Sequence, residues 1–306
     1  MPIHELEEHP YLNYYQGFGR VPTDYYKGII IGSFPIYAIT NTVGEEFKVI
    51  KKRFTSEASM RFFYGSKKSD LWKYVGLALS GCDPRKVNVS FIEPEIAVDQ
   101  CKNLLFKHQI LISDSLFRIN RKGVSAEDAD LILPTDLDYV KEGLSVNTDL
   151  FQLINENKQI QNIYFTSTEI RNKGPFYWFK KIFDGHITVS DFFYVADRAW
   201  SAKATIKFAQ DKSRNFKLFF LPTPKARGIH WAKQKTLMFG NYMKHYDNVF
   251  YKEIDALSKD QRTSVQTRKL TQLRVLMLTT CYQQAIVYGN LHFDGSNPIL
   301  NMLNDK

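Results

Sequence analysis

The stretch Gly28–Phe34, which reads GIIIGSF, decides how the rest of the chain is interpreted. An unbroken apolar run with three β-branched residues is typical of a strand that is buried on both faces of a sheet. Three more runs of this kind follow along the chain, at Gln109–Ser113, Asn162–Phe165 and Phe216–Leu221. Together the four runs predict a parallel sheet at the centre of the molecule.

Helical patterns separate these runs. Ser69–Leu79 carries an apolar stripe with Ser69 at the N-cap, a second helix is predicted to begin at Asn147, and a third follows Glu169 as far as Ile182. Val265–Tyr288 predicts a long helix that stops at Gly289. Strands that alternate with helices predict an α/β fold with helices on both faces of the sheet.

The composition fits one large globular domain with additions, and it favours a polyanionic partner. Of the 306 residues, 44% are apolar and 24% are charged, which is enough for a proper core. The net charge is +9 and the pI is about 9.2. Neutralising phosphates releases counterions, so this charge favours DNA, although solvated lysines alone would give the same charge.

The cysteines and the termini argue against several classes of protein. Cys82, Cys101 and Cys281 are far apart and form no CxxC pair, which argues against a zinc ribbon or an iron–sulfur cluster. The first residues carry acids rather than the apolar run of a signal peptide, and no stretch approaches the roughly 20 apolar residues of a membrane span. We expect a cytoplasmic monomer that uses no metal and no other cofactor.

Small hydroxyl residues or prolines follow all four predicted strands. These ends are Ser33-Phe34-Pro35, Ser113-Asp114-Ser115, Thr166-Ser167-Thr168 and Pro222-Thr223-Pro224-Lys225. Ligands of parallel sheets bind outside the carboxyl ends of the strands, where such residues let backbone amides approach a ligand. The same residue types also end strands that bind nothing. The four ends together predict a binding site at this edge.

Short motifs accompany the strands in a definite order. Gly32–Pro35 (GSFP) is followed by Phe63–Trp72 (FYGSKKSDLW), and then by Ile110–Ser115, Asn147–Leu150, Asn162–Thr168 and Leu221–Pro224 (LPTP). In this order they resemble the motifs of the uracil-DNA glycosylase superfamily, nearest to its hypoxanthine-DNA glycosylase branch, with its GSFP-like turn and YY(A/G)HPxNxFW-like segment. The resemblance covers about residues 28–231. It implies a three-layer α/β/α fold with a four-stranded parallel sheet, and removal of a base from DNA.

The chain departs from this family at the polar positions of the pocket. Phe34 stands where other branches have a catalytic Asp or Asn, and Ser66 and Ser69 stand at the His and Asn of the HPxN segment. Thr166 replaces the Asn after the third strand, and Leu221 replaces the His of the second catalytic motif. Such small side chains predict an enlarged pocket; the alternative is that the neighbouring Phe62, Phe63 and Tyr64 turn inward and refill the space. The substrate could then be a bulky base such as glycosylated hydroxymethylcytosine in phage DNA, as in a defence enzyme, while the nearest branch suggests hypoxanthine.

Breaking the bond between a base and its sugar calls for a carboxylate that stabilises the sugar cation or orients water. Asp70 is the first candidate, since it lies beside the position of the relatives' Asn, and Asp114 and Ser69 follow. Each has a structural alternative: a helix N-terminal acid, a turn acid and an N-cap, respectively. The side chains predicted to bind the base are Ser33, Phe34, Pro35, Tyr64, Ser66, Thr166 and Thr223.

The predicted DNA contact is Lys225–Lys233 (KARGIHWAK), which directly follows the second catalytic motif. It combines cations with an apolar or aromatic wedge, Ile229 or Trp231, that could replace a flipped base in the stack. The alternative is a solvated basic turn. The side chains predicted to contact DNA are Lys67, Lys68, Lys225, Arg227, His230 and Trp231.

The sequence thus predicts an N-terminal extension (1–27), a glycosylase-like domain (28–235) and a helical C-terminal extension (236–306). The favoured function is a monofunctional DNA glycosylase that acts on a damaged or modified base. The rival is a non-catalytic DNA-binding module that recognises such a base without removing it. A phosphate-binding metabolic enzyme is the third possibility, and the absence of a Gly-rich phosphate loop counts against it.

Overall fold

The computed structural model describes residues 7–9, 12, 24–34, 62–64, 69–80, 94–121, 131–132, 145–171, 174–195, 198–208, 212–224 and 238–293. Its strands are β1 (Glu7–Glu8), β2 (Gly28–Gly32), β3 (Ile110–Asp114), β4 (Leu116–Arg121), β5 (Leu131–Ile132), β6 (Ser145–Val146), β7 (Asn162–Phe165), β8 (Ile187–Val195), β9 (Arg198–Lys207) and β10 (Ser213–Phe220). Its helices are α1 (Leu71–Ser80), α2 (Pro94–Lys107), α3 (Asp149–Glu156), α4 (Pro175–Ile182), α5 (Met238–Tyr246), α6 (Asn248–Asp255) and α7 (Ser264–Ile286).

Six strands form the main sheet, in the order β3-β2-β7-β10-β9-β8. The first four strands of this order are mutually parallel, with Asn162 opposite both Gly28 and Lys217. β9 and β8 then continue the sheet in antiparallel pairing. The predicted α/β class is confirmed, with a mostly parallel sheet. The sheet has six strands, however, rather than the four that were predicted.

The two additional strands escape prediction because polar and exposed residues interrupt them. No residue of β8 is fully buried, and Ser190 and Asp191 break its apolar pattern. In β9, exposed Lys203 forms a salt bridge to Asp191 at 2.9 Å across the hairpin. Antiparallel strands at the side of a sheet tolerate such residues, so they lack the continuous apolar run that marks a strand buried on both faces.

Buried side chains form one cluster on each face of the sheet. Ile30, Tyr164 and Phe219 point to the face that α1, α5, α6 and α7 cover. Their chain neighbours, including Ile29 and Phe165, point to the opposite face and pack against α3 and α4. Successive strand residues alternate in direction, which explains why unbroken apolar runs are needed where both faces are covered.

The helices begin where local chemistry favours it. α7 starts one residue before the predicted position, because the side chain of Thr263 accepts a hydrogen bond from Gln266 N at 3.2 Å in a capping box. α4 starts at Pro175 rather than near Glu169, since proline suits the first turn of a helix and cannot continue a preceding one. After α7, Gly289 adopts a positive φ of 59°.

The described residues that follow position 235, namely 238–293, pack into the core. Leu273, Met277 and Cys281 of α7 are buried in the same cluster as α1. Beyond α7, the indole Nε1 of Trp200 donates a hydrogen bond to the carbonyl oxygen of Asn290 at 3.2 Å. This region therefore covers one face of β9 and β10 and contributes to stability. None of the helices in the described part of the chain has the length and apolar character needed to cross a membrane.

Arg214 of β10 fastens the end of α3 to the sheet. Its guanidinium donates hydrogen bonds to the carbonyl oxygens of Ile154 (2.7 Å), Asn157 (3.1 Å), Lys158 (2.9 Å) and Ile160 (2.8 Å). The last carbonyls of a helix have no partner within the helix. Arg214 satisfies one of them, that of Ile154, and also the carbonyls of the C-cap Asn157 and of the turn that follows. Burial lowers the pKa of Arg214, which reflects the cost of keeping its charge at this position.

We expect Arg214→Met to lower the free energy of unfolding by about 3 kcal/mol, as estimated for several charge-assisted hydrogen bonds discounted for partial exposure. Urea unfolding followed by circular dichroism measures this change. The matched control is Arg268→Met, which removes the same charge from an exposed position on α7. If the two variants unfold at the same urea concentration, the four hydrogen bonds contribute no net stability.

Candidate functional site

The order of the strands makes the carboxyl ends of β2 and β7 the expected ligand-binding position. In the chain, β2 is followed by β3 on one side of it and later by β7 on the other. Where the direction of winding reverses in this way, the connections leave on opposite faces and open a crevice at the carboxyl ends of the strands. Gly32, Ser33, Tyr64, Asp114 and Thr166 lie there, and we call these five residues the switch-point site.

Backbone hydrogen bonds fix the turn that follows β2. The carbonyl oxygen of Gly32 accepts from the amide (2.9 Å) and from the hydroxyl (2.7 Å) of Ser115, and that of Ser33 accepts from the amide of Leu116 (3.0 Å). Ser33 itself is buried. The ends of β2 and β3 are thereby held together, which sets the position of Asp114 at the end of β3.

Asp114 is a buried carboxylate that is paired with a histidine from the N-terminal segment. Its Oδ2 lies 2.9 Å from Nε2 of His9, and the two residues are 2% and 1% exposed. The amide of His9 donates to the carbonyl oxygen of Phe117 at 2.8 Å, and the His9 ring packs against Phe34 and Phe63. Oδ1 of Asp114 is also buried and has no hydrogen-bond partner among the described residues.

Sequence reasoning missed His9. The residue lies in the segment interpreted as an N-terminal extension, and the partner carboxylate is 105 positions away. Antiparallel pairing of β1 with β4 brings the two together, with Glu8 opposite Arg118. A two-residue strand leaves no periodic pattern, so no signal in the sequence could have found this pair.

Two hydroxyl groups complete the switch-point site. The hydroxyl oxygens of Tyr64 and Thr166 lie 2.6 Å apart in a hydrogen bond. Tyr64 has a φ of 54°, a conformation that a bulky residue rarely adopts and that concentrates at functional sites. A Cβ atom at Gly32 would overlap both the Tyr64 hydroxyl and Oδ1 of Asp114. These polar atoms therefore approach the same point above the Gly32 backbone.

Asp70 lies just before α1 and connects this helix to Pro222–Pro224, the segment that follows β10. Its amide donates to the carbonyl oxygen of Pro224 at 3.0 Å, and its Oδ2 accepts from the Tyr74 hydroxyl at 3.1 Å. Burial, followed by the negative charge of Asp70, raises the pKa of Tyr74, so the phenol keeps its proton. The hydroxyl of Ser69 accepts from the amide of Leu71 at 3.4 Å. Ser69 and Asp70 thus both serve the start of the helix.

A cleft with a volume of about 310 Å³ lies at the carboxyl ends of β7 and β10. It adjoins the switch-point site through Ser167, which follows Thr166 in the chain. The polar residues that line it are Ser167, Thr168, Glu169, Arg198, Thr223 and Arg274, and the apolar ones are Pro222, Met238, Phe239, Met277 and Leu278. We call it the β7–β10 cleft, and α5 and α7 form its apolar wall.

The structure brings some of the predicted site residues together and separates others. Ser33, Tyr64, Asp114 and Thr166 meet in the switch-point site, whereas Thr223 lines the neighbouring cleft. Phe34 packs against a small cluster that contains Trp178. The other predicted residues lie outside the described part of the chain, namely Pro35, Ser66, Lys67, Lys68, Lys225, Arg227, His230 and Trp231.

Thiol chemistry has no support in the described part of the chain. Cys101 and Cys281 are both free and buried. Burial raises the pKa of the Cys101 thiol to about 12 and also raises that of Cys281, so neither forms the reactive thiolate at neutral pH. Within the described ranges, no group of three or more His, Cys, Asp or Glu side chains is placed to hold a metal ion.

No family model, curated protein or solved structure matches the chain. The function is therefore argued from the geometry and chemistry of the site itself, together with the motifs in the sequence.

Proposed function

We propose that the chain is a monofunctional DNA glycosylase of the uracil-DNA glycosylase superfamily, which hydrolyses the bond between a damaged or modified base and its sugar. The observation that carries this proposal is the Asp114 carboxylate at the switch point, held by His9 through Oδ2 and with Oδ1 unpartnered within the described residues. A carboxylate at the ligand-binding edge suits a reaction that develops positive charge on a sugar. We place Asp114 ahead of Asp70, whose carboxylate already accepts a hydrogen bond from Tyr74.

In the proposed reaction, the bond to the base breaks first and the base leaves with the electron pair. The sugar becomes an oxocarbenium-like cation that Oδ1 of Asp114 stabilises. Water then adds its hydroxide to C1′, and its proton passes to the departing base. His9 acts as a positioning residue that fixes the carboxylate. The hydroxyls of Tyr64 and Thr166 hydrogen-bond each other, so in this mechanism they exchange that bond for hydrogen bonds to the base.

The fold supports this proposal at the level of strand arrangement. We propose that β3, β2, β7 and β10 correspond to the four parallel strands of the superfamily, with helices on both faces, and that β8 and β9 are an addition to one side. The net charge of +9 supports a DNA partner. Asp114 is 2% exposed, so in this mechanism a flipped base must displace the side chains that cover it.

The proposed substrate is a base larger than uracil, either a bulky modified cytosine in phage DNA, which would make the protein an antiviral defence enzyme, or hypoxanthine. This rests on the small side chains Ser66, Ser69 and Thr166 at the positions where the resembling family has larger polar ones. Small residues in a pocket wall leave volume, and their hydroxyls can bind a polar substituent. The Tyr64 hydroxyl contacts Thr166, so a larger base must displace this aromatic side chain.

A panel of duplexes tests the proposal directly. Each duplex carries one uracil, hypoxanthine, hydroxymethylcytosine or glycosylated hydroxymethylcytosine, and alkaline cleavage at the resulting abasic site reports base release. We expect strand cleavage with a larger base and little with uracil. Fast release of uracil alone would contradict the enlarged pocket, and release from no duplex would contradict the glycosylase.

A non-catalytic module that recognises modified bases is the second candidate. The paired state of the site favours it, since Asp114 contacts His9 and the hydroxyls of Tyr64 and Thr166 contact each other. Polar groups that satisfy one another can shape a pocket without doing chemistry. Tight binding to one duplex of the panel, with no base release from any, would identify this function.

Arg227→Ala and Lys225→Ala test the predicted DNA contact. Each change is expected to weaken DNA binding and to reduce the slope of log K against log salt by about 1, because one phosphate contact is lost. Fluorescence anisotropy at several salt concentrations measures both quantities. Lys259→Ala, in the exposed 3₁₀ turn before α7, is the control for a change of net charge alone. A slope equal to that of the control would remove the segment from the interface.

A further inference from the structure

Two arginines are among the polar residues that line the β7–β10 cleft. Arg198 is the first residue of β9, which runs antiparallel to β10 and so begins at the edge where β7 and β10 end. Arg274 comes from α7, the helix that also contributes Met277 and Leu278 to the lining. Ser167, Thr168 and Thr223 add hydroxyls to the same lining. Arginine and hydroxyl side chains are the usual ligands of phosphate oxygens, and a guanidinium can hold two of them at once.

Apolar side chains also line the cleft. Met238 and Phe239 begin α5, Met277 and Leu278 lie on α7, and each of the four is at most 5% exposed. Thioether and aromatic groups form a polarisable surface that suits a flat ring. The cleft is therefore amphipathic, because cationic and apolar side chains both line it, and a ring would contact the narrow exposed part of the apolar ones.

Glu169 is the one carboxylate among the described residues that line the cleft. Its Oε2 lies 3.7 Å from Nη1 of Arg198, and these side chains are 44% and 35% exposed. An ion pair this long and this exposed contributes little free energy, so an incoming anion can compete with it. Oε1 of Glu169 accepts from the amide of Arg171 at 2.9 Å, which holds the carboxylate at the rim.

We propose that the β7–β10 cleft binds one nucleotide unit, with its phosphate between Arg198 and Arg274 and its base against the wall formed by α5 and α7. A volume of about 310 Å³ lies within the range of small-molecule pockets and is large enough for a base, a sugar and a phosphate. The unit can be a free mononucleotide or one nucleotide of a DNA strand. The cleft does not contain Asp114, but Thr223, which is predicted to bind the base, lines it, so nucleotide binding and base release are measured separately.

Calorimetric titration of the full chain tests this assignment with three probes: deoxycytidine monophosphate, deoxycytidine and inorganic phosphate. We expect the monophosphate to bind at least about tenfold more tightly than either fragment, because only it contacts both the arginines and the apolar side chains. Arg198→Gln and Arg274→Gln should each weaken monophosphate binding at least about fivefold and leave deoxycytidine binding unchanged. Glu169→Gln should tighten monophosphate binding, since it removes a carboxylate that lies 3.7 Å from the Arg198 guanidinium.

Arg268→Gln on the exposed side of α7 is the matched control, and Arg274→Lys keeps the charge should the Gln variant unfold. A single-stranded oligonucleotide distinguishes a free mononucleotide from one nucleotide of a DNA strand as the natural ligand. If the arginine changes weaken oligonucleotide binding but the free monophosphate does not bind, the unit belongs to a DNA strand. If neither ligand depends on Arg198 and Arg274 beyond the Arg268 control, the proposal is overturned. If no duplex of the panel releases a base but the monophosphate still binds through Arg198 and Arg274, the glycosylase proposal fails and the nucleotide-binding cleft stands.

Discussion

Replacing Asp114 by asparagine is expected to reduce base release at least about 100-fold, the scale on which removal of one group that stabilises transition-state charge slows an enzyme. Asparagine keeps the shape of the side chain, and His9 can still pair with it, because the imidazole can donate to its carbonyl or accept from its amide. What is lost is the negative charge of Oδ1 beside the proposed sugar cation. Single-turnover measurement of base release on the preferred duplex quantifies this loss, with DNA affinity measured in parallel.

Two further variants make the result for Asp114 interpretable. Asp99→Asn removes the same charge from an exposed position on α2, and it should leave base release unchanged. Asp70→Asn alters the start of α1 and the hydrogen bond from Tyr74, and it should affect stability more than base release. If Asp70→Asn loses activity while Asp114→Asn stays within a few-fold of the natural protein, the catalytic carboxylate is Asp70.

Gly32→Ala is expected to abolish base release and to lower the free energy of unfolding by about 1–3 kcal/mol, the usual cost of overpacking. The added Cβ would overlap Oδ1 of Asp114 and the hydroxyl of Tyr64. Neither group can yield easily, because His9 holds the first and Thr166 holds the second. Thermal and urea unfolding give the change in stability, and the duplex panel gives the change in activity.

Gly76→Ala is a matched control, because this glycine lies within α1 and a Cβ there would meet no atom within 4 Å. The same chemical change should therefore stabilise the protein by about 0.5–1 kcal/mol, through the higher helix propensity of alanine. If the free energy of unfolding falls for Gly32→Ala and rises for Gly76→Ala, then crowding of the added Cβ atom, rather than backbone conformation, requires glycine at position 32. Equal stability changes would contradict the close approach of Asp114 and Tyr64.

The sequence by itself determined the parallel core of this protein. The four predicted strands lie within three residues of the observed β2, β3, β7 and β10, and the long C-terminal helix is displaced by two residues at most. These elements could be predicted because burial on both faces demands a continuous apolar run, and because a helix stripe repeats over several turns. Both signals are local, so they survive in a single sequence.

Only the tertiary structure decided which side chains meet at the carboxyl edge. Ser33, Asp114 and Thr166 were predictable, because each follows a strand that the sequence marks. His9 was not, since its pairing with Asp114 depends on a two-residue strand that joins β4. Arg198 and Arg274 reach one cleft through a strand without a continuous apolar run and a helix far along the chain. Contacts of this kind depend on strand order and register, which arise from packing of the whole chain and leave no local pattern.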